Sequence, residues 1–462
     1  VRRGAFLAAV AASFLAAPLA AQDFAVTGAT VGLGDGSEPI QGGTVVVRGG
    51  RIVDAGADVA VPAGVETIDG RGRWVTPGLF AALTDLGLWD VEEVAESNDT
   101  AAGGSPFGAA LDVTPAINPA SEHVAVSRAG GVTRASVAGA PGGTIFAGQG
   151  ALIDLGADRD AVMLPRAFQV VTLAEEGGTI AGGSRVAAHA LFRNALREAK
   201  SFDERGALTV RTPSRPVDTG DDIPIDLRPV DPRLAGSEAE RASDVLLTRF
   251  DAAALIPVVN GRQALYVEAH RASDILAVLA LRDEFPALKL VLVGATEGWL
   301  VAREIAAARV PVITEPLTDL PARFEQLGST QSNVGRMVDA GVKVAIGGFA
   351  ASNQPRYAPQ QAGNLVALNK LPGATGLTWG EAFAAISSVP AEIAGLGGTA
   401  GVLRGGAHGD VVLWDGDPLE VGSAPVRVFI DGVEQPLENR QTRLRERYRT
   451  PGEGDLPKAY ER

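Results

Sequence analysis

The sequence predicts an α/β fold: a TIM-like (β/α)8 barrel plus a small composite β-sandwich domain built from both chain ends. Three observations predict it. Strand-like apolar runs alternate with helical patterns from about residue 238 to residue 388, which is the grammar of parallel strands joined by right-handed crossovers. β-Branched runs separated by glycine turns crowd into residues 24–75 and return at 409–432, and neither group alone has enough strands to bury a face. The chain has 462 residues, 46% of them hydrophobic, which suits a barrel with an accessory domain and excludes wholesale disorder. A doubly wound open sheet is the other arrangement that the alternation allows.

The first 21 residues read as a secretory signal. Arg2-Arg3 supply the charged start, Ala5 to Ala17 a short apolar run, and Leu19-Ala20-Ala21 a small-residue cleavage site. The expectation is a periplasmic or secreted protein that begins near Gln22. The apolar run is too short to span a bilayer comfortably, and no other segment reads as a membrane span. A net charge of −14 argues against a nucleic-acid partner. The absence of cysteine excludes thiolate catalysis and thiolate metal ligands. A small-molecule substrate or ligand is the expected partner, and an oligomer is compatible with the sequence.

In the N-terminal part, Thr44 to Arg48 and Arg51 to Ala55 form a hairpin across Gly49-Gly50. Pro77-Gly78 punctuates a domain change, and Leu79 to Asp85 reads as a buried strand. A polar, small-residue loop follows from Glu92 to Pro119. Ser121 to Ala129 reads as a helix, Val132 to Val137 as a strand, and Thr144 to Leu155 as a small β-excursion. Val186 to Lys200 has helical amphipathicity, and the Pro- and Asp-rich run from Thr212 to Pro232 reads as a surface insertion.

From Glu238 the alternation is regular. Helices are expected at Glu238–Leu255, Ala272–Phe285, Trp299–Ala308, Arg323–Ala340, Pro359–Lys370 and Thr378–Ser388. Strands are expected at Ala264–Ala269, Leu288–Val293, Val310–Thr314 and Val342–Gly347. With the strands at Leu79 and Val132 this leaves one or two barrel strands unplaced. The domains are then 22–75 with 400–436, 76–399, and a tail at 437–462.

Three pieces of sequence resemble the amidohydrolase superfamily, imidazolonepropionase-like and prolidase-like members above all: TPGL at Thr76, GVKVAIGG at Gly341 and DVVLWDGDP at Asp410. The resemblance runs from about Phe24 to Pro436. It implies a hydrolase acting on non-peptide carbon–nitrogen bonds, with a divalent metal, zinc in many relatives, that makes hydroxide from water. Its ligands would be a His-x-His pair after strand 1, a Lys or Glu after strand 4, His after strands 5 and 6, and Asp after strand 8.

Most of those positions are changed here. Leu83 and Asp85 stand for the His-x-His pair. No lysine ends a suitable strand. Glu268 and His270 stand where relatives read Val-His-Ala-His, Glu297 is the ionisable group after strand 6, and Phe349 replaces the Asp. The metal candidates are therefore Asp85 and His270, and the catalytic candidates His270, Glu268 and Glu297. Each has a plainer reading: Asp85 a cap after its strand, His270 a buried hydrogen bond, Glu297 the first-turn acid of its own helix. Either no cofactor or a weakly bound divalent metal is expected. The alternative function is a catalytically inactive barrel, a pseudoenzyme that binds a ligand or a partner subunit.

Overall fold

Thr76-Pro77-Gly78 joins two sheets. In the computed structural model, which describes residues 21–91, 94–204, 246–317, 319–348 and 354–449, the strand that ends at Pro77 belongs to one sheet and the strand that begins at Leu79 to the other. The step needs glycine, because a Cβ on Gly78 would lie 2.1 Å from the Thr133 hydroxyl.

The first sheet is built from β1 (Phe24–Val31), β2 (Ile40–Arg48), β3 (Arg51–Gly56), β4 (Glu66–Asp69) and β5 (Trp74–Pro77), with three strands from the far end of the chain. The second sheet holds β6 (Leu79–Thr84), β7 (Val132–Val137), β8 (Phe146–Asp154), β9 (Val162–Thr172), β10 (Ala264–Ala269), β11 (Lys289–Gly294), β12 (Val312–Thr314) and β13 (Val344–Ile346). The chain then returns to the first sheet as β14 (Val411–Trp414), β15 (Pro425–Ile430) and β16 (Val433–Glu434).

The first sheet runs β16-β15-β14-β5-β1-β2-β3, with β4 beside β1. The pairing of β5 with β14, Trp74 opposite Trp414, unites the two chain ends in one composite domain. Alternate residues of these strands bury one face: Phe24, Val26, Val45, Val47, Val411 and Leu413, with Phe24 stacked on Phe429 at 4.1 Å. The expected hairpin forms as read, with Arg48 opposite Arg51.

The second sheet is a nearly closed eight-stranded barrel, β13-β12-β11-β10-β9-β8-β7-β6. Strands β9 to β13 run parallel, as do β6 and β7. The expectation of a uniformly parallel barrel is corrected at β8, which runs antiparallel to both neighbours. Its residues, read as an excursion, are a full barrel strand. Its connections explain the direction: eight residues separate it from β7 and seven from β9, too few for a parallel crossover. The seam between β6 and β13 is bridged by chain from elsewhere: Phe80 donates its N–H to Ile386 O (3.0 Å) and Ile346 to Ala385 O (2.9 Å).

The barrel interior is filled by Ala82, Leu152, Phe168, Tyr266, Val291, Val293, Ile313 and Ala345, with the Phe168 and Tyr266 rings stacked at 4.2 Å. Helices pack outside. In chain order they are α1 (Glu122–Ala129), α2 (Glu175–Ile180), α3 (Arg185–Glu204), α4 (Arg249–Val259), α5 (Ala272–Leu279), α6 (Leu281–Glu284), α7 (Ala302–Ala308), α8 (Asn333–Asp339), α9 (Ala358–Leu368), α10 (Trp379–Ala384) and α11 (Ser388–Ile393). A further helix, α12 (Arg440–Arg449), lies in the tail.

Helix α3 shows why the amphipathic reading works. Ala188, Phe192, Ala195, Leu196 and Ala199 fall at helical spacing and are buried. The expected helix at Arg323–Ala340 is shorter: a 3-10 turn at Phe324–Gln326 precedes α8. The first part of the Glu238 helix and the Thr212–Pro232 insertion lie outside the described residues, as do residues 1–20.

The two sheets are locked by a buried ion network. Arg134 of β7 donates to both carboxylate oxygens of Asp410 (2.6 and 3.0 Å) and to Asp431 (2.9 Å), and both Arg134 and Asp410 are buried. Burial opposes the Arg134 charge, and the two carboxylates more than restore it, so its pKa is raised. Two ions taken from water are held by mutual hydrogen bonds, an arrangement that adds little by its presence and costs much when one partner is removed.

Candidate active site at the barrel mouth

The C-terminal ends of the parallel strands open on a cavity of about 260 Å³, lined among others by Leu83, Asp85, Pro141, Glu268, Val293 and Gly348. Larger hollows exist on helix faces and at the opposite end of the barrel. This one is distinguished by its place at the strand ends and by its acids.

Asp85 follows the last residue of β6. Its carboxyl is largely buried and Oδ1 has no hydrogen-bond partner. Burial pushes its pKa up to about 7. The Trp89 indole N–H lies near enough to favour the anion slightly, without the geometry of a hydrogen bond. A carboxyl whose neutral form is favoured by burial, on the wall of a cleft, has the character of a working acid or base. The cap role, a carboxylate accepting a nearby N–H of another residue, is not what the structure shows for this side chain.

Glu268 and His270 lie two residues apart at the end of β10 and share its inward face, as the strand period requires. His270 is buried, with Nδ1 2.8 Å from the Thr296 hydroxyl and Nε2 3.4 Å from Glu268 Oε1. Burial disfavours the imidazolium, but Glu268 and, at longer range, Glu325 outweigh it, so the His270 pKa is raised. Burial likewise opposes the Glu268 anion, while His270 and the Thr172 hydroxyl favour it; the net direction is down. Each member of the pair therefore favours the charged form of the other. Gly294 makes room for the ring: at φ 85° its missing Cβ would stand 2.5 Å from His270 Cε1.

Glu297 does not join them. It sits at the N-cap of its own short 3-10 turn, and its Oε2 accepts the Ala272 N–H (2.9 Å), so it caps α5 across the β10–α5 corner. The reading of Glu297 as the acid of its own helix is corrected to a cap on a neighbouring one. The backbone explains the swing: Glu297 N–H donates to His270 O, which brings the turn beside the first residues of α5. Phe349 lies outside the described residues.

The other histidines are placed elsewhere. His123 stacks on Trp89 at 4.7 Å, His189 of α3 lies 3.4 Å from Asp274, and His408 meets Asp431 at 2.5 Å in the composite domain. Trp299 and Trp379 anchor packing through hydrogen bonds to Gly328 O and Asp417.

Sequence reasoning missed a second acidic layer behind His270. Glu325, in the loop after β12, is buried and its Oε2 accepts the Glu175 N–H (2.9 Å); Glu175 Oε1 accepts the Glu325 N–H in return (3.0 Å). Burial raises the Glu325 pKa, which the His270 charge partly offsets. Residues 150 apart in sequence meet here, and no local pattern signals such a pair. Thr172 and Thr296, each at or just beyond a strand end, could have been found by listing hydroxyls at those positions.

The donor set was tested against the metal that the family resemblance implies. Among the described residues no group of three His, Asp or Glu side chains is placed to hold an ion. His270 turns both ring nitrogens toward protein partners, and Leu83 puts an apolar side chain beside Asp85. These residues do not fit a tightly held cation, which needs three or four converging donors.

No protein-family model matches the chain. An imidazolonepropionase from Mesorhizobium japonicum is 25% identical over 396 residues, covering 81% of this chain and 87% of that protein. An amidohydrolase, tasK, from Hapsidospora irregularis is 45% identical over 60 residues, which is 13% of this chain and only 6% of that protein. The crystal structure of an amidohydrolase from Thermotoga maritima MSB8 shares the fold, with a TM-score of 0.72 at 22% identity over 90% of this chain and 100% of that one. The chain thus shares the fold of an amidohydrolase from end to end, and a sequence likeness to an imidazolonepropionase runs through four-fifths of it.

Proposed function

We propose that the protein hydrolyses a non-peptide carbon–nitrogen bond of a small molecule at the barrel mouth, with Asp85 as the proton shuttle. One observation carries the reading: a largely buried carboxyl with an unpartnered oxygen and a pKa near 7, in the cavity where the fold puts its chemistry. Ionised Asp85 takes a proton from water. The water oxygen bonds to the carbonyl carbon, and Asp85 returns the proton to nitrogen as the C–N bond breaks. Glu268 lines the same cavity, and His270 sits beside it with both ring nitrogens engaged, so the ring acts as a positioning group that favours the Glu268 anion.

Any divalent metal, zinc by family resemblance, is weakly held in this reading, which predicts that the protein will purify with well under one tightly bound transition metal per chain. The catalytically silent alternative, a barrel that binds a ligand or partner subunit, draws on Leu83, an apolar residue at the mouth. Export to the periplasm or beyond is part of the proposal and rests on residues 1–21. Among the described residues no helix is long and apolar enough to cross a membrane.

The test is turnover of a panel of cyclic and linear amides by the purified protein, beside Asp85→Asn and Glu268→Gln. Turnover lost in both variants supports the hydrolase. Saturable binding of a panel member without turnover moves the assignment to the silent barrel.

A further inference from the structure

At the N-terminal ends of β10 to β13, opposite the mouth, the barrel floor holds a cavity of about 520 Å³. Four cationic side chains line it, Arg282, Lys289, Arg309 and Lys343, against one carboxylate, Glu392. Glu392 is taken by Lys343. Arg282 donates from Nη1 to Ala308 O at 2.6 Å, while its Nε is buried with no partner among the described residues. Lys289 and Arg309 form no ion pair among the described residues.

Three uncompensated cations therefore share one hollow of a chain whose net charge is −14. An anion in the hollow would meet cationic side chains that have no carboxylate partner among the described residues. Guanidinium and ammonium groups on one wall supply the charged donors that suit a tetrahedral oxyanion. Arg309 ends α7 in a left-handed C-cap (φ 52°), which fixes its backbone beside the start of β12. Val310, Pro311 and Ile393 add apolar wall. The volume is that of a small-molecule site and exceeds the needs of a bare ion.

We propose that this floor cavity binds a phosphate dianion, either inorganic phosphate or the head of a small phosphomonoester, through Arg282, Lys289 and Arg309. The site is separate from the mouth, so it stands whether or not the hydrolase reading does.

The experiment is calorimetric titration of the full chain with inorganic phosphate and with phenyl phosphate, at constant ionic strength in chloride. Lys289→Gln, Arg309→Gln and their double variant are titrated alongside. Arg282 is left intact because it also holds the Ala308 carbonyl. The wild type is expected to bind one anion saturably, each single variant about three- to fivefold more weakly and the double about tenfold or more, with Tm and circular dichroism unchanged. Tighter binding of phenyl phosphate identifies the phosphomonoester as the ligand; equal or weaker binding identifies free phosphate. No saturable binding of either probe, or binding that the double variant leaves unchanged, overturns the proposal.

Discussion

Replacing Asp85 by Asn should stabilise the protein, and only at neutral and alkaline pH. The Asp85 carboxyl titrates near 7 in the fold because burial disfavours its anion, against about 3.9 in an unfolded chain. A folded pKa above the unfolded one means that the native state holds its proton longer. Stability is then greatest below about pH 4, falls as pH rises toward 7, and stays lowered above it. At ~1.4 kcal/mol per pH unit the full penalty is about 4 kcal/mol. Asp85 is partly open to the mouth, so solvent screening reduces this to about 2 kcal/mol. Urea unfolding of wild type and Asp85→Asn at pH 4, 5.5, 7 and 8.5 measures it. The two should converge at pH 4 and separate by about 2 kcal/mol at pH 8.5, the variant being the more stable. Parallel curves across the whole range would refute the account of Asp85 as a buried, unpartnered carboxyl.

Asp410→Asn leaves Arg134 buried with half its pairing, and should cost about 3–5 kcal/mol in urea unfolding, whereas the same change at exposed Asp69 should leave the unfolding midpoint nearly unchanged. Gly294→Ala adds a Cβ at positive φ against the His270 ring, and should cost about 2 kcal/mol and shift the His270 proton resonances. The His270 pKa is raised chiefly by Glu268 and the Glu268 pKa is lowered chiefly by His270, so the stability that this pair contributes is fullest between about pH 4.5 and 6.5, fading as pH rises through the folded His270 value and as it falls through the folded Glu268 value. Glu268→Gln should lower the midpoint of the His270 imidazole titration followed by NMR. Metal analysis should find well under one tightly held transition metal per chain, and Leu83→His, Asp85→His and Phe349→Asp together should raise that content; stoichiometric zinc in the unmodified protein, lost on mutating His270 or Asp85, would reverse this prediction.

Where local period carries the information, the sequence was readable. The i, i+2 relation of Glu268 and His270 predicted their shared face, and the βα alternation placed β10 to β13 within two residues at each end. Strand β9 was not legible because Pro165 and Arg166 interrupt it, Arg166 at positive φ, and its first half is largely exposed. The direction of β8 was written in its short connections rather than in its own residues. The site was legible only in part. Asp85 could be placed from the Pro-Gly step and the strand that follows, but its isolation depends on what the fold leaves out around it. Glu297 looked equivalent to Glu268 in sequence, and a turn of backbone sends it to α5. The Glu175–Glu325 exchange joins loops that no periodicity relates.

The pH dependence of kcat for whichever amide proves to be a substrate tests the central claim most directly. If Asp85 is the proton shuttle, kcat in the wild type rises through an inflection near pH 7, the value at which burial sets this carboxyl, and Asp85→Asn loses at least about a hundredfold while remaining folded. A profile flat through neutrality, or one that Asp85→Asn leaves unchanged, would contradict it.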